Sequence, residues 1–326
     1  MWSFKNKLLE DPFITSEDDN PTSSNETIHH NDKSLDLQPP ATRKELWSYY
    51  FYYNGNNGYN IYSFLPSLLQ YLAQKGGFDP TSPDRAPCSV DLSGDAPCNV
   101  PWLNTSIPVV SLMMYATAIS FGSQFVLFTT FGSLADYGKF NKYILIISTL
   151  VSCTAQILPV IFINNDGSGW GGMVGLYIIA LVSYGTSLVF YAAAFPTLSD
   201  NLPLVRKARN DPSVTVEETQ VIVEKWRSTV SAISTTFSNI GFLVLSAIFS
   251  GVAFIPWSKG PFLNDEHTFG NTPLYYYIAS AVCGGFWLIN AIPYFLFQPS
   301  GRRGPPLPEG EHYLTIGWKS IFLALK

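Results

Sequence analysis

The chain has 326 residues, of which 47% are hydrophobic and only 13% charged, and its net charge is −5. Soluble domains carry about 25% charged residues, so there are too few charges to coat a soluble protein of this size, and the apolar content excludes a wholly disordered chain. Four cysteines exclude a disulfide-stapled mini-protein, and an even balance of bases and acids beyond residue 40 excludes an electrostatic nucleic-acid binder.

Residues 1–40 hold three bases and eight acids, which accounts for the whole net charge. They contain no apolar run, so they read as a disordered cytosolic tail rather than a cleaved signal. The His29-His30 pair within them lacks the further ligands that a metal site needs. From residue 41 the pattern changes. Six windows contain no Asp, Glu, Lys or Arg: 46–74, 107–130, 143–163, 170–197, 229–255 and 273–297. About 20 apolar residues cross a bilayer core, and a soluble helix of that length shows a charged face. The windows therefore predict an all-α, polytopic membrane protein with a six-span domain over 41–298, followed by a cytosolic linker over 299–326. Mean hydropathy is only +0.13 because it averages these windows with polar tails and loops.

The first window is unusual. Its Tyr49-to-Tyr53 run leads into Asn54-Gly55-Asn56-Asn57-Gly58-Tyr59-Asn60. Unsatisfied polar groups in hydrocarbon cost several kcal/mol each, so this segment must face protein or a wet cavity. Broken, glycine-containing helices near the bilayer middle mark substrate sites in many transporters, whereas Gly and Asn also serve plain helix packing. Both readings stay open. On the first, Asn56, Asn57 and Tyr59 lie near substrate, since neutral amides and a phenol bond a zwitterion without adding charge.

The loop over 75–106 contains Cys88 and Cys98 in a Pro-, Gly- and Ser-rich stretch, candidates for a disulfide in an oxidising compartment. Asn104-Thr105-Ser106 in the same loop is a candidate N-glycosylation site. Windows two and three carry Thr117, Ser120, Gln124 and Thr149, Ser152, Gln156 at matching helical spacing. Window five carries Ser231, Ser234, Thr235, Ser238 and Asn239 along one side. No window contains an ionisable carboxylate or base, so no coupling ion is assigned. Cys153 and Cys283 read as small packing residues.

Sixteen Lys and Arg lie in the N-terminal segment, the 131–142 and 198–228 loops and the C-terminal tail, against three in the alternate loops. The positive excess marks the cytosolic side, so both termini are expected in the cytosol. No catalytic or phosphate-binding signature occurs, and the four His residues are scattered. Nothing points to an enzyme, a cofactor or a bound metal.

The turn Phe131-Gly132-Ser133-Leu134-Ala135-Asp136-Tyr137-Gly138-Lys139-Phe140-Asn141-Lys142 resembles the loop signature of the major facilitator superfamily. Gly132 and Asp136 match it, and Gly138, Lys139 and Lys142 match more loosely. The resemblance implies a gate at Gly132, Asp136, Lys139 and Lys142, with Asp136 bonded to a helix N-terminus or paired with a base. Three stretches together resemble the autophagy-related protein 22 family of fungi, a vacuolar branch of that superfamily. They are Thr42-Arg43-Lys44-Glu45-Leu46 running into the tyrosines, Leu134-Ala135-Asp136-Tyr137-Gly138, and Gly304-Pro305-Pro306-Leu307-Pro308. The likeness spans roughly 41–326.

This resemblance implies a protein of the vacuole membrane, and the Asn104 sequon would make it a glycoprotein. It is a multi-pass carrier of twelve spans that exports amino acids such as leucine, isoleucine and tyrosine after autophagic degradation, by alternating access. Its implied partners are the lipid bilayer, amino-acid substrates, and a missing C-terminal six-span half or a pairing chain. The six windows here would form one half of a major-facilitator-type bundle. The rival readings are a non-transporting membrane sensor or scaffold, and an inactive truncated half-carrier.

Overall fold

The computed structural model describes residues 12–13, 38–90, 97–258, 262–263, 266–299, 302, 306–308 and 310–324. The expected tail features at His29 and His30 lie outside the described residues. Thr42 caps the first helix by accepting a hydrogen bond from the Glu45 amide, as N-terminal threonines commonly do. Helix α1 (Arg43–Gly55) stops at the Asn/Gly run, α2 (Tyr59–Tyr62) is a single turn, and α3 (Phe64–Lys75) continues in the rest of the window. The first window is thus one interrupted span and not a continuous helix.

Five further helices are long and apolar enough to cross a membrane. They are α4 (Val109–Phe131), α6 (Asn141–Ile157, extended to Phe162 by a 3-10 turn), α7 (Trp170–Asp200), α9 (Val216–Ala253) and α10 (Pro273–Phe297). Short helices α5 (Ser133–Asp136) and α8 (Pro203–Asn210) lie in connections, and α11 (Ile316–Ala324) follows the last span. Helix α9 begins thirteen residues before its charge-free window, because Thr215 and Glu218 form a reciprocal capping box that starts it in the polar loop. The protein is an all-α polytopic membrane protein.

Among the described residues the strands form one hairpin, β1 (Asn99–Trp102) against β2 (Thr105–Pro108), with Trp102 opposite Thr105. It sits beside the disulfide between Cys88 and Cys98, which forms as expected. Ala73, both cysteines, Val100, Val109 and Leu112 pack as a small core that closes this end of the bundle. We call it the distal end; the end carrying Thr42 is the proximal end.

The interrupted first span packs mainly on α10 and α9, while α7 packs mainly on α6 and α4. The first span also touches α4 through α3, as α7 touches α9, and α6 packs on α10. Exchanging the first span with α7, α4 with α9, and α6 with α10 leaves this pattern unchanged. The two exchanged units run in opposite directions through the bundle, so the packing is that of an inverted three-plus-three repeat. The first span and α7 are equivalent and meet at its centre.

Candidate functional site

The interruption in the first span lies at that centre. Gly58 has φ +76°, and a Cβ there would fall 2.6 Å from the Tyr184 hydroxyl on α7. A left-handed backbone pressed against another side chain admits only glycine comfortably. Asn57 stitches the break from both sides. Its amide nitrogen donates to the Asn54 carbonyl (2.8 Å), and its side-chain oxygen accepts from the Tyr59 amide (3.0 Å). These bonds satisfy backbone groups that two helix ends would otherwise expose.

Asn56 and Asn60 turn into the bundle. Asn56 is 1% exposed and donates to the Ser187 hydroxyl at 3.1 Å. Asn60 donates to Gln156 Oε1 (2.8 Å) and meets Ser280 Oγ (3.1 Å). Gln156 in turn donates to Ser152 Oγ (3.2 Å), and Ser152 donates to the Ala180 carbonyl (3.0 Å). One polar chain therefore ties the first span to α6, α7 and α10. Asn56 Oδ1, Asn60 Oδ1 and Trp287 Nε1 are buried without a partner among the described residues. Asn60, Gln156, Tyr184 and Trp287 line a cavity of about 10 Å³ against the break, which is the size of one water molecule.

The three residues expected near substrate thus have different settings. Asn56 is buried, Asn57 caps the break, and Tyr59 is half-buried with its ring edge-on to Phe64 and Phe242. Asn57 and Tyr59 border the small cavity at the break, whereas Asn56 turns to Ser187. The polar stripes of windows two and three face helix interfaces: Thr117 meets the Tyr177 hydroxyl, Gln124 donates to the Leu181 carbonyl, and Thr149 meets the Tyr52 hydroxyl. The stripe of window five differs, since Ser231, Thr235 and Asn239 are exposed. Ser231, Ser234 and Thr235 border a pocket of about 250 Å³ shared with α1 and α7.

The proximal end holds the charged groups. Arg302 donates twice to Glu45, Nε to Oε1 at 2.9 Å and Nη2 to Oε2 at 2.6 Å, and also reaches the Thr197 carbonyl. Asp200 accepts two bonds from Arg227 and lies 3.4 Å from Arg209. Lys142 Nζ donates to the Gln298 carbonyl at 2.6 Å. Of the expected gate, Gly132 ends α4 and Asp136 ends α5. Asp136 makes neither of its expected bonds among the described residues. Lys142 donates to Gln298 and Lys139 is exposed, and burial raises the Asp136 carboxyl above its ordinary value.

Helix α11 holds the end of α4 just before the turn: Trp318 donates to Thr130 Oγ1 (3.2 Å), and Gly317 lies close against the Thr129 carbonyl. At the distal end Asn104 is exposed at the tip of the β1–β2 hairpin. The Glu45–Arg302 and Asp200–Arg227 pairs escaped sequence reasoning. Glu45 lies in a quoted family stretch, but its partner is 257 positions away and no spacing rule links them.

A family model described as "vacuole effluxer Atg22 like" matches residues 41–326. Among curated proteins, autophagy-related protein 22-2 of Emericella nidulans is 28% identical over 189 residues, covering 52% of this chain and 30% of the relative. Autophagy-related protein 22-1 of Aspergillus clavatus is 28% identical over 190 residues, covering 52% and 31%. Autophagy-related protein 22-2 of Penicillium rubens is 27% identical over 182 residues, covering 53% and 29%. The match thus spans less than a third of the relatives' length. No solved structure matches the chain.

Proposed function

We propose that this chain, which belongs to the family of Atg22-like vacuole effluxers, is part of a vacuolar-membrane carrier that exports neutral amino acids to the cytosol. The observation that carries the reading is the break at Asn54–Gly58, where the first span and its repeat equivalent α7 meet at Gly58 and Tyr184. An interrupted helix at a repeat interface is where transporters of this architecture bind solute. The Lys/Arg bias orients the proximal end to the cytosol and the Cys88–Cys98 disulfide to the lumen. Transport follows alternating access, with this bundle rocking against a second one. The 131–142 turn is the latch of one state. The six windows contain no Asp, Glu, Lys or Arg, which suits a pathway for a solute without net charge. The test is efflux of labelled leucine, isoleucine and tyrosine from isolated vacuoles with the gene intact or deleted. A rate that depends on the gene supports the reading; equal rates overturn it.

A further inference from the structure

We propose that Pro12 and Phe13 form a strap: they dock on the proximal end of the bundle, cap α8 and thereby seat Arg209 on Asp200. The inference is independent of the transport reading above. It gives a folded role to a stretch that composition assigns to the tail.

Helix α8 is poorly equipped to fold alone. It has eight residues, and isolated helices shorter than about 12–15 residues are marginal in water. Val205 and Ala208 bury one face of it, but its N-cap is Leu202, which makes no side-chain bond. A Ser, Thr, Asp or Asn there would satisfy a first-turn amide. Pro203 at the first position has no N–H to leave unmet. The next amide, that of Leu204, does need an acceptor, and it donates to the Pro12 carbonyl at 3.2 Å. The N-terminal segment thus supplies the cap that the helix lacks. Proline suits this task, since a ring-fixed φ leaves less backbone freedom to lose on docking.

Phe13 provides the apolar part of the contact. It is half-buried and packs against the main core of the bundle. The Arg43 guanidinium lies over its ring, 5.5 Å from the centroid, within range of a cation–π attraction. Arg43 is the first residue of α1, so the strap touches both α1 and α8. The chain that leads into α1 is held at the same corner. The Gln38 carbonyl accepts from Arg206 Nη1 (2.6 Å), the Gln38 side-chain oxygen from Asn201 Nδ2 (3.1 Å), and the Asn201 carbonyl from the Ala41 amide (2.8 Å). Docking is intramolecular, so no second molecule has to be bound.

The position of α8 decides where its basic residues stand. Arg209, in the last turn, lies 3.4 Å from Asp200 at the end of α7, and Asp200 also accepts two bonds from Arg227 on α9. On an unfolded connection Arg209 has no fixed place. On a capped helix it stands beside the carboxylate that joins α7 to α9. Displacing Phe13 therefore reaches the junction of two spanning helices from the N-terminal segment.

The test is hydrogen–deuterium exchange of the full-length gene product in detergent, read by mass spectrometry over Pro203–Asn210. The wild type is compared with Phe13→Ala, Phe13→Tyr and a deletion of residues 2–13. A lost helix cap together with a lost ring contact corresponds to roughly a tenfold change in a local opening equilibrium. Exchange over α8 is expected to rise about tenfold in Phe13→Ala and in the deletion. It is expected to stay near the wild-type rate in Phe13→Tyr, and exchange over α10 to stay the same in all four proteins. Equal α8 exchange in the wild type and the deletion overturns the strap. The link to Asp200 is read from unfolding midpoints. Arg209→Gln is expected to lower the midpoint, and Phe13→Ala to lower it less in that background than alone. Strictly additive shifts overturn the link. Neither readout involves solute, so the outcome is separate from that of the efflux assay.

Discussion

Arg302 and Glu45 form a two-point salt bridge at the proximal end, with side chains only 6% and 1% exposed. The bridge fastens the segment after the last span to the first turn of the first span, 257 positions away. Removing one partner of a buried pair leaves an uncompensated charge, at a cost of about 3–5 kcal/mol. Arg302→Met is therefore expected to destabilise the detergent-solubilised protein by about that amount. Adding Glu45→Met should restore most of the loss. Thermal unfolding of the single and double variants checks this; a double variant no better than the single would exclude the charge argument.

Gly58 is the second sensitive position. Ala at φ +76° pays about 1–2 kcal/mol for the left-handed backbone, and its Cβ would press on the Tyr184 hydroxyl at 2.6 Å. Gly58→Ala is expected to lower stability by at least that amount and to slow transport more than Gly171→Ala, whose Cβ would meet nothing. Unfolding and efflux measured on the two variants separate them.

The polar chain through Asn60 should behave as a unit. Asn60→Leu leaves Gln156 Oε1 without its 2.8 Å donor, and orphaning a buried acceptor costs about 1–3 kcal/mol. Combining Asn60→Leu with Gln156→Leu should cost less than the sum of the single changes. Additive losses in a double-mutant cycle would show that the two side chains do not depend on each other.

At the distal end, the disulfide closes a loop between residues ten positions apart. Chain-entropy arguments assign such a loop about 2–3 kcal/mol. Cys88→Ser is expected to reduce stability by that amount, and reduction of the wild type by dithiothreitol should reproduce the loss. A variant as stable as the oxidised protein would contradict it.

Two loop carboxylates give a pH dependence of known sign. Asp79 is held below its ordinary value by the Thr81 side chain and amide, and Asp166 by the Ser168 amide and side chain. A depressed carboxyl contributes stability that is complete above the ordinary value, about 3.9, and is lost as pH falls through the lowered one. Thr81→Ala should return Asp79 toward about 3.9, read from carboxyl chemical shifts across a titration. A midpoint that does not rise would dismiss the Thr81 hydroxyl bond as a cause.

The sequence by itself determined the membrane body, its charge-free windows and the interruption of the first, because these depend on composition over a window. Absent charges, a run of Asn and Gly, and two cysteines in one loop are local facts, and their consequences are local too. The inverted repeat, the Glu45–Arg302 bridge and the seat of Phe13 beneath Arg43 depend on which element faces which. Residues 13, 43 and 204 come together only after the bundle has packed, and nothing in their spacing specifies it. The same holds for the Asn56-Asn57 pair. Composition marked it as costly in a membrane, but only the packing decided that Asn56 turns inward to Ser187 while Asn57 caps the break. A buried amide is satisfied by whichever donor or acceptor the neighbouring helix presents, and that neighbour is fixed by tertiary structure.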